Sequence, residues 1–173
     1  GQRSPVQPQY LGGILLVVDE QFRSLIAPLK TAEYQLLENS IMRHGCLDPI
    51  VVWAQENIIL DGHNRYEICR KHNIPFRIVR MDFQSRNAAK QWILENQLAR
   101  RNLTPFQRGV VVQELEQAIA EDARRQQGMR TDLSPKLAES CKPIDTREEL
   151  ARKAGLSHGT LDKIRLIMRR GTE

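Results

Sequence analysis

Apolar positions along the first part of the chain predict alternating strands and helices. The run ILLVV, residues 14–18, is typical of a buried strand. Apolar residues recur at helical spacing between Thr31 and His44, where Thr31 is placed to cap a helix and Gly45 to end it. We expect the next two apolar runs, PIVVW and IILDG, to pair as strands, because only AQEN separates them.

Three further segments complete this part of the pattern. A helix is predicted from Asn64 to about His72, a strand over FRIVRMDF, and another helix after Ser85. This order of elements indicates an α+β fold, a small mixed sheet with helices. Residues 14–103 are predicted to form this domain, and the polar residues 1–13 a flexible arm before it.

The rest of the chain is predicted to be mainly helical. Residues 104–127 form a connecting helix, because Thr104 and Gln107 have the spacing of a capping box around Pro105. Residues 128–143 contain glycine, serine and two prolines, which favour a linker. Residues 144–173 hold two short helices around Gly155, a spacing typical of a DNA-binding helix-turn-helix. An ordinary helical hairpin is the alternative.

Charge and composition narrow the classes of partner. Lys and Arg total 26 against 21 Asp and Glu, so the formal charge is +5, which favours a polyanionic partner. The sequence has no apolar run of bilayer length and no signal-peptide pattern, which predicts a cytoplasmic protein with no membrane partner. Three scattered cysteines without a CxxC pair predict neither a disulfide framework nor a metal site of structural type.

The stretch LDGHNRYEIC carries the candidate chemistry of the first domain. It places Gly62, His63, Asn64 and Arg65 at the first turn of a predicted helix. Unpaired backbone N–H groups and the positive end of the helix dipole attract anions at such a turn. Asp61 fits a simpler interpretation as a helix cap. The stretch is therefore either a phosphate site or a capped helix start, and Asp61 can serve in both.

The second helix of the C-terminal pair offers polar side chains to a nucleic acid. In a helix-turn-helix, the second helix enters the major groove and contacts bases and phosphates. The candidates for DNA contact are Ser157, His158, Thr160, Lys163 and Arg165.

In four places the chain resembles the ParB family of DNA-segregation proteins, and the four follow the family's order. DPIVVW is similar to its QPIVV strand, and LDGHNRYEIC to its GERRxRA box. NQLARRNLTPFQ is similar to its ENxQRxxLxP box, and TREELARKAGLSHGTLDKIRLI to its helix-turn-helix. The resemblance implies a ParB/sulfiredoxin-like N-terminal domain followed by a DNA-binding domain, in a protein that serves partition or regulation of a plasmid, phage or other mobile element.

The resemblance also implies a ligand and partners. Family members bind CTP with Mg²⁺, which gates binding of double-stranded DNA by a homodimer. The expected location is the nucleoid or a plasmid, and a ParA-like ATPase is a further expected partner. The positions that match the nucleotide-binding boxes are Gly62, His63, Asn64, Arg65, Asn96, Arg100 and Arg101.

Departures from the family pattern limit the expected catalysis. His63 and Asn64 stand where the family has Glu and Arg, so at most weak CTP hydrolysis is expected. Glu95 and Asp61 are the carboxylates that could take a catalytic role. DGHNR is also similar to motifs of ParB/sulfiredoxin-fold enzymes. A nucleotide-dependent kinase or nuclease is therefore one alternative, and a DNA-binding regulator with a degenerate pocket is another.

Overall fold

The computed structural model describes residues 7–9, 15–100, 103–129 and 146–170. These residues belong to two compact units, Gly1–Ala89 and Lys90–Glu173, and the boundary falls within one helix. Most of the predicted linker, residues 130–143, lies outside the described residues, as do residues 1–6 and 10–13 of the predicted arm. Arg101 is outside them as well.

Four strands and seven helices make up the described part of the chain. The strands are β1 (Gln7–Gln9), β2 (Ile50–Trp53), β3 (Ile58–Asp61) and β4 (Phe76–Met81). The helices are α1 (Glu20–Ser24), α2 (Thr31–His44), α3 (His63–His72), α4 (Arg86–Leu98), α5 (Pro105–Met129), α6 (Thr146–Ala154) and α7 (His158–Arg170).

The strands form one mixed sheet in the order β1-β4-β2-β3. β2 pairs with β3 as an antiparallel hairpin and with β4 in parallel, with Val52 opposite Ile59 and Ile50 opposite Ile78. These four residues are buried in one cluster with Tyr66 of α3, so that α3 covers one face of the sheet. The predicted α+β fold with a small mixed sheet is confirmed.

Local signals account for most of the element boundaries in the first unit. α2 covers the predicted residues 31–44 and ends at Gly45, whose φ of 77° suits a residue without a Cβ. α3 ends at Asn73, which takes the left-handed conformation with φ of 57°. One detail differs, because Lys30 rather than Thr31 is the N-cap of α2, and its N–H donates to Glu33 Oε2 at 2.9 Å.

The segment ILLVV was wrongly predicted to be a strand. Of its described residues, only Val17 makes a β-bridge, to Ile58, with two backbone hydrogen bonds of 2.9 and 3.0 Å. Leu16 is 4% exposed, whereas Leu15 and Val17 are 77% and 44% exposed. The chain crosses the edge of the sheet at one point and then turns into α1, so no ladder of hydrogen bonds forms.

Two elements of the first unit have no counterpart in the predictions from sequence. Gln7–Gln9 lie within the predicted flexible arm but form β1, which pairs antiparallel with β4. α1 starts at Asp19, whose Oδ1 accepts the N–H of Phe22 at 3.1 Å. Phe22 is 1% exposed and lies against Trp53, and the Arg86 guanidinium covers its ring at 4.3 Å. These contacts hold α1 against the sheet.

The second unit contains three helices that pack together. The capping box at the start of α5 is confirmed, since Thr104 N donates to Gln107 Oε1 at 2.9 Å and Gln107 N to Thr104 Oγ1 at 3.2 Å. α6 and α7 both pack against α5, and Gly155 between them has φ of 65°. The buried residues of α6 and α7 are Leu150, Ala151, Ala154, Leu161 and Ile164. Within the described ranges, no helix is both long and apolar enough to cross a membrane.

Candidate functional site

The junction between β3 and α3, residues 61–65, is called the DGHNR turn and is built around Gly62. Its φ of 95° lies in the left-handed region that favours glycine. A Cβ at this position would also come within 2.9 Å of the Arg65 guanidinium, which folds back over the glycine. The positive φ is therefore the main reason for glycine here, because the Arg65 guanidinium is the end of a flexible side chain that can shift.

The N-terminus of α3 has no side-chain cap. Gly62 is the N-cap residue, and the first turn carries no acidic residue. Asp61 precedes this residue, and its carboxylate pairs with Arg65 at 3.3 Å. The positive end of the helix dipole at this turn attracts anions.

Arg65 is held by groups of the chain itself. Its Nη2 donates to the carbonyl of Pro49 at 3.0 Å and to Asp61 Oδ2 at 3.3 Å. Its Nε is buried and has no hydrogen-bond partner among the described residues. The side chain is 19% exposed, so its charge acts in a partly desolvated setting.

A cavity of about 270 Å³ opens beside the start of α3. Residues 26–29, which follow α1, line it together with Arg23. His63 and Asn64 also line it, so two of the four predicted residues of the DGHNR turn face the cavity. Gly62 and Arg65 are adjacent in sequence but do not belong to the lining.

His63 is the unusual polar group of this cavity. It is 7% exposed, and neither ring nitrogen makes a well-aligned hydrogen bond in the described part of the chain, although the Ile59 backbone lies near the ring. Burial lowers the pKa of His63 below its ordinary value, the positive charge of Arg23 lowers it further, and Asp61 opposes the effect. A neutral imidazole in this position can donate one N–H to an oxygen of a bound anion.

Arg23, Tyr34 and Glu67 complete the polar side of the cavity. Arg23 pairs with Glu67 at 3.5 Å, and Tyr34 Oη donates to Glu67 Oε1 at 3.0 Å. Both charged side chains are about half exposed, which leaves Arg23 able to exchange this partner for an anion. Arg23 was missed from the sequence, where the only signal was the Asp19 cap that starts its helix.

The other predicted nucleotide residues lie in the second unit. Glu95 is exposed on α4, and Asn96 on the same helix is half-buried. Arg100 follows α4, and its carbonyl accepts a hydrogen bond from Arg108 Nη2 at 2.8 Å. Among the described residues, no group of three or more His, Cys, Asp or Glu is placed to hold a metal ion.

The predicted DNA contacts at the start of α7 divide into two groups. Ser157 Oγ accepts the N–H of Thr160 at 3.3 Å and so caps the helix, and Lys163 is exposed. Arg165 differs, since its Nη2 donates to both carboxylate oxygens of Glu116 in α5, at 2.7 and 2.6 Å. Arg165 therefore anchors α7 to α5. The side chain of His158 lies outside the described residues.

Comparison with known proteins identifies the fold. Two solved structures of a pNOB8-like ParB N-domain, one of them in the C2221 form, match with TM-scores of 0.64 and 0.63. Each is 20% identical in sequence, and each match covers 86% of this chain. The chain spans 64% and 59% of the lengths of those two structures. No known sequence family and no curated protein matches the chain.

The likeness confirms the part of the sequence resemblance that concerns the N-terminal domain. At this level of identity it establishes the arrangement of the backbone and not the ligand. The chain has the fold of the ParB N-domain.

Proposed function

We propose that this chain is a ParB-like DNA-binding protein of a partition or regulatory system, with a pocket for the phosphates of a CTP-like nucleotide at the start of α3. Two observations support it: the ParB N-domain fold and the cavity at the DGHNR turn. The observation that carries the pocket is His63, which is 7% exposed and whose ring nitrogens make no well-aligned hydrogen bond among the described residues. Such a group costs about 1–3 kcal/mol unless a ligand or water bonds to it.

Each group at the cavity has a distinct part in this proposal. The uncapped N–H groups of α3 and the imidazole N–H of His63 donate to phosphate oxygens. Arg23, which also lines the cavity, leaves Glu67 and neutralises phosphate charge. Arg65 is a positioning residue, because it ties Asp61 to the Pro49 carbonyl beneath the turn. Mg²⁺ would enter only with the nucleotide.

The proposed DNA-binding part is the α6–α7 pair. The N-terminal end of α7 would enter the major groove, and the candidates for contact at this end are Ser157, Thr160 and Lys163. The turn at Gly155 connects α6 to this end of α7. The working form on DNA is a homodimer, and a ParA-like ATPase remains a predicted partner. No hydrolysis step is part of the proposal.

A DNA-binding regulator with an inactive pocket is the second candidate. The observation that favours it is the pairing of Arg65 with Asp61 and Pro49, which occupies the most sheltered cation of the DGHNR turn. The two candidates differ in a single measurable property, which is nucleotide binding by the folded protein.

Equilibrium binding of labelled CTP with Mg²⁺, with ATP, GTP and UTP as competitors, tests the proposal. We expect selective CTP binding that Arg23→Ala and Arg65→Ala weaken about tenfold or more, because each removes a charged partner or its support. Arg43→Ala is the matched control, since Arg43 is exposed on α2 and does not line the cavity. If the folded protein retains DNA but binds no nucleotide, the pocket is inactive and the second candidate holds.

A further inference from the structure

Two cysteines that are distant in sequence meet between α2 and α3. Cys46 follows the glycine that ends α2, and Cys69 lies in α3 with no exposed surface. Cys69 belongs to a buried cluster with Ile41 and Ile68, and Cys46 packs against the same cluster. Both thiols are free.

The surroundings make the two thiols unequal. The neighbouring Cys69 thiol lowers the pKa of Cys46 to about 7, and the positive charges of Arg65 and Arg77 act in the same direction, against burial and Asp48. The neighbouring Cys46 thiol and burial raise the pKa of Cys69. Cys46 is also partly exposed, whereas Cys69 is buried. Cys46 is therefore the more accessible and more easily ionised thiol, and it packs against the cluster that contains the second thiol.

We propose that Cys46 and Cys69 form a redox-sensitive pair that closes to a reversible disulfide when the protein meets hydrogen peroxide. The Cys46 thiolate attacks one peroxide oxygen, the O–O bond breaks, and the product is a sulfenic acid plus hydroxide, which takes up a proton to give water. The Cys69 sulfur then attacks the Cys46 sulfur, and a second water leaves. In total, two thiols and one peroxide give one disulfide and two waters.

The position of the pair gives the disulfide a structural consequence. The segment between Cys46 and Cys69 contains β2, β3 and the DGHNR turn. A disulfide would close this segment into a covalent loop, which restricts the unfolded chain and raises the thermal unfolding midpoint. The Cys46 thiol donates to the Asp48 carbonyl at 3.3 Å, and this hydrogen bond would be lost when the disulfide forms. This inference does not depend on nucleotide binding.

Peptide mapping of the full chain after peroxide treatment tests the proposal. The Cys141→Ser variant leaves only the two thiols in question, and free thiols are alkylated before a non-reducing digest. We expect one linked peptide that joins Cys46 to Cys69 within a monomer, disappears with dithiothreitol and is accompanied by a higher unfolding midpoint. In Cys69→Ala, we expect peroxide to stop at oxidised Cys46, and in Cys46→Ser to leave Cys69 reduced.

Two outcomes would overturn the inference. One is a fully alkylated Cys69 beside a Cys46 that has advanced to sulfinic acid, because the pair would then be too far apart to close. The other is a disulfide found only between two chains on a non-reducing gel. The linked peptide is sought in folded protein that keeps both Cys46 and Cys69. The result therefore does not depend on whether Cys69→Ala or Cys46→Ser folds well.

Discussion

At the scale of single residues, the candidate site depends on polar groups held where water does not satisfy them. His63 is buried at a helix start, and its ring nitrogens make no well-aligned hydrogen bond among the described residues. Arg65 beside it has a buried Nε without a hydrogen-bond partner among them. Polar groups in this state are rare in folded proteins and usually mark a ligand, a water or stored strain. The two neighbouring residues therefore give the DGHNR turn a physical distinction that an ordinary helix start lacks.

The buried imidazole predicts a pH dependence of stability. Since burial lowers the pKa of His63 below the ordinary 6.5, the unfolded chain binds a proton at higher pH than the folded chain. The contribution of neutral His63 to the free energy of unfolding is fully present above pH 6.5. It is lost as the pH falls below that value, by at most about 1.4 kcal/mol per pH unit. We expect His63→Gln to reduce the pH dependence of the free energy of unfolding, measured with urea, between about pH 7 and pH 5.

His44→Gln is the control for this prediction, because His44 is exposed in the last turn of α2. The slope of the free energy of unfolding against pH is compared between wild type and each variant. A change in His63→Gln alone assigns the slope to His63 and not to carboxylates, which titrate in more acidic solution. An unchanged slope in His63→Gln would show that the folded protein protonates His63 as readily as the unfolded chain does.

At the scale of elements, α5 and α7 approach closely at a glycine. A Cβ on Gly109 would lie 2.9 Å from Ile164 Cγ2, with other atoms of the same branched side chain also in contact. Ile164 is 6% exposed, so it has little room to move away. The bidentate pair of Arg165 with Glu116 fixes α7 on α5 next to this contact. The small residue in α5 thus sets how closely the two helices pack.

Gly109→Ala is therefore expected to destabilise the second unit. The overpacking costs about 1–3 kcal/mol, which exceeds the gain of up to about 1 kcal/mol from placing Ala in a helix. Gly128→Ala is the matched control on the same helix, because nothing lies within 4 Å of its Cβ position. It should be neutral or slightly stabilising. Urea unfolding measures both, and equal stabilities of the two variants would contradict the close approach.

At the scale of the whole molecule, the described chain consists of two compact units with different chemistry. The first unit carries the mixed sheet and the cavity at the DGHNR turn, and the second carries the helical pair with exposed basic residues. Among the side chains of α6 and α7 that the structure describes, the exposed basic ones are Arg152, Lys153, Lys163, Arg169 and Arg170. A formal charge of +5 is consistent with a polyanionic partner for this protein.

DNA binding by the second unit predicts an effect of Lys163. We expect Lys163→Ala to weaken binding to a mixed-sequence DNA duplex, because one phosphate contact is lost. The slope of log affinity against log salt should fall by about one. Arg43→Ala, in the first unit, should leave both values unchanged. Fluorescence anisotropy at several salt concentrations measures them, and an unchanged slope in Lys163→Ala would remove this residue from the interface.

The sequence by itself determined the elements that depend on neighbouring residues. Helical spacing and Gly45 predicted α2, the capping box of Thr104 and Gln107 predicted the start of α5, and the short AQEN connection predicted the β2–β3 hairpin. These signals succeed because caps, turns and periodic faces act within one or two turns of chain. The order of motifs was also enough to anticipate the ParB N-domain fold.

Only the tertiary structure decided which distant groups meet. It replaced the expected ILLVV strand with a single bridge and brought Arg23 to the cavity of His63. It also paired the DNA candidate Arg165 with Glu116. It also placed Cys46 beside Cys69. The physical reason is common to all of these cases. The partner of a side chain across the fold depends on packing and burial, and the residues adjacent in sequence determine neither.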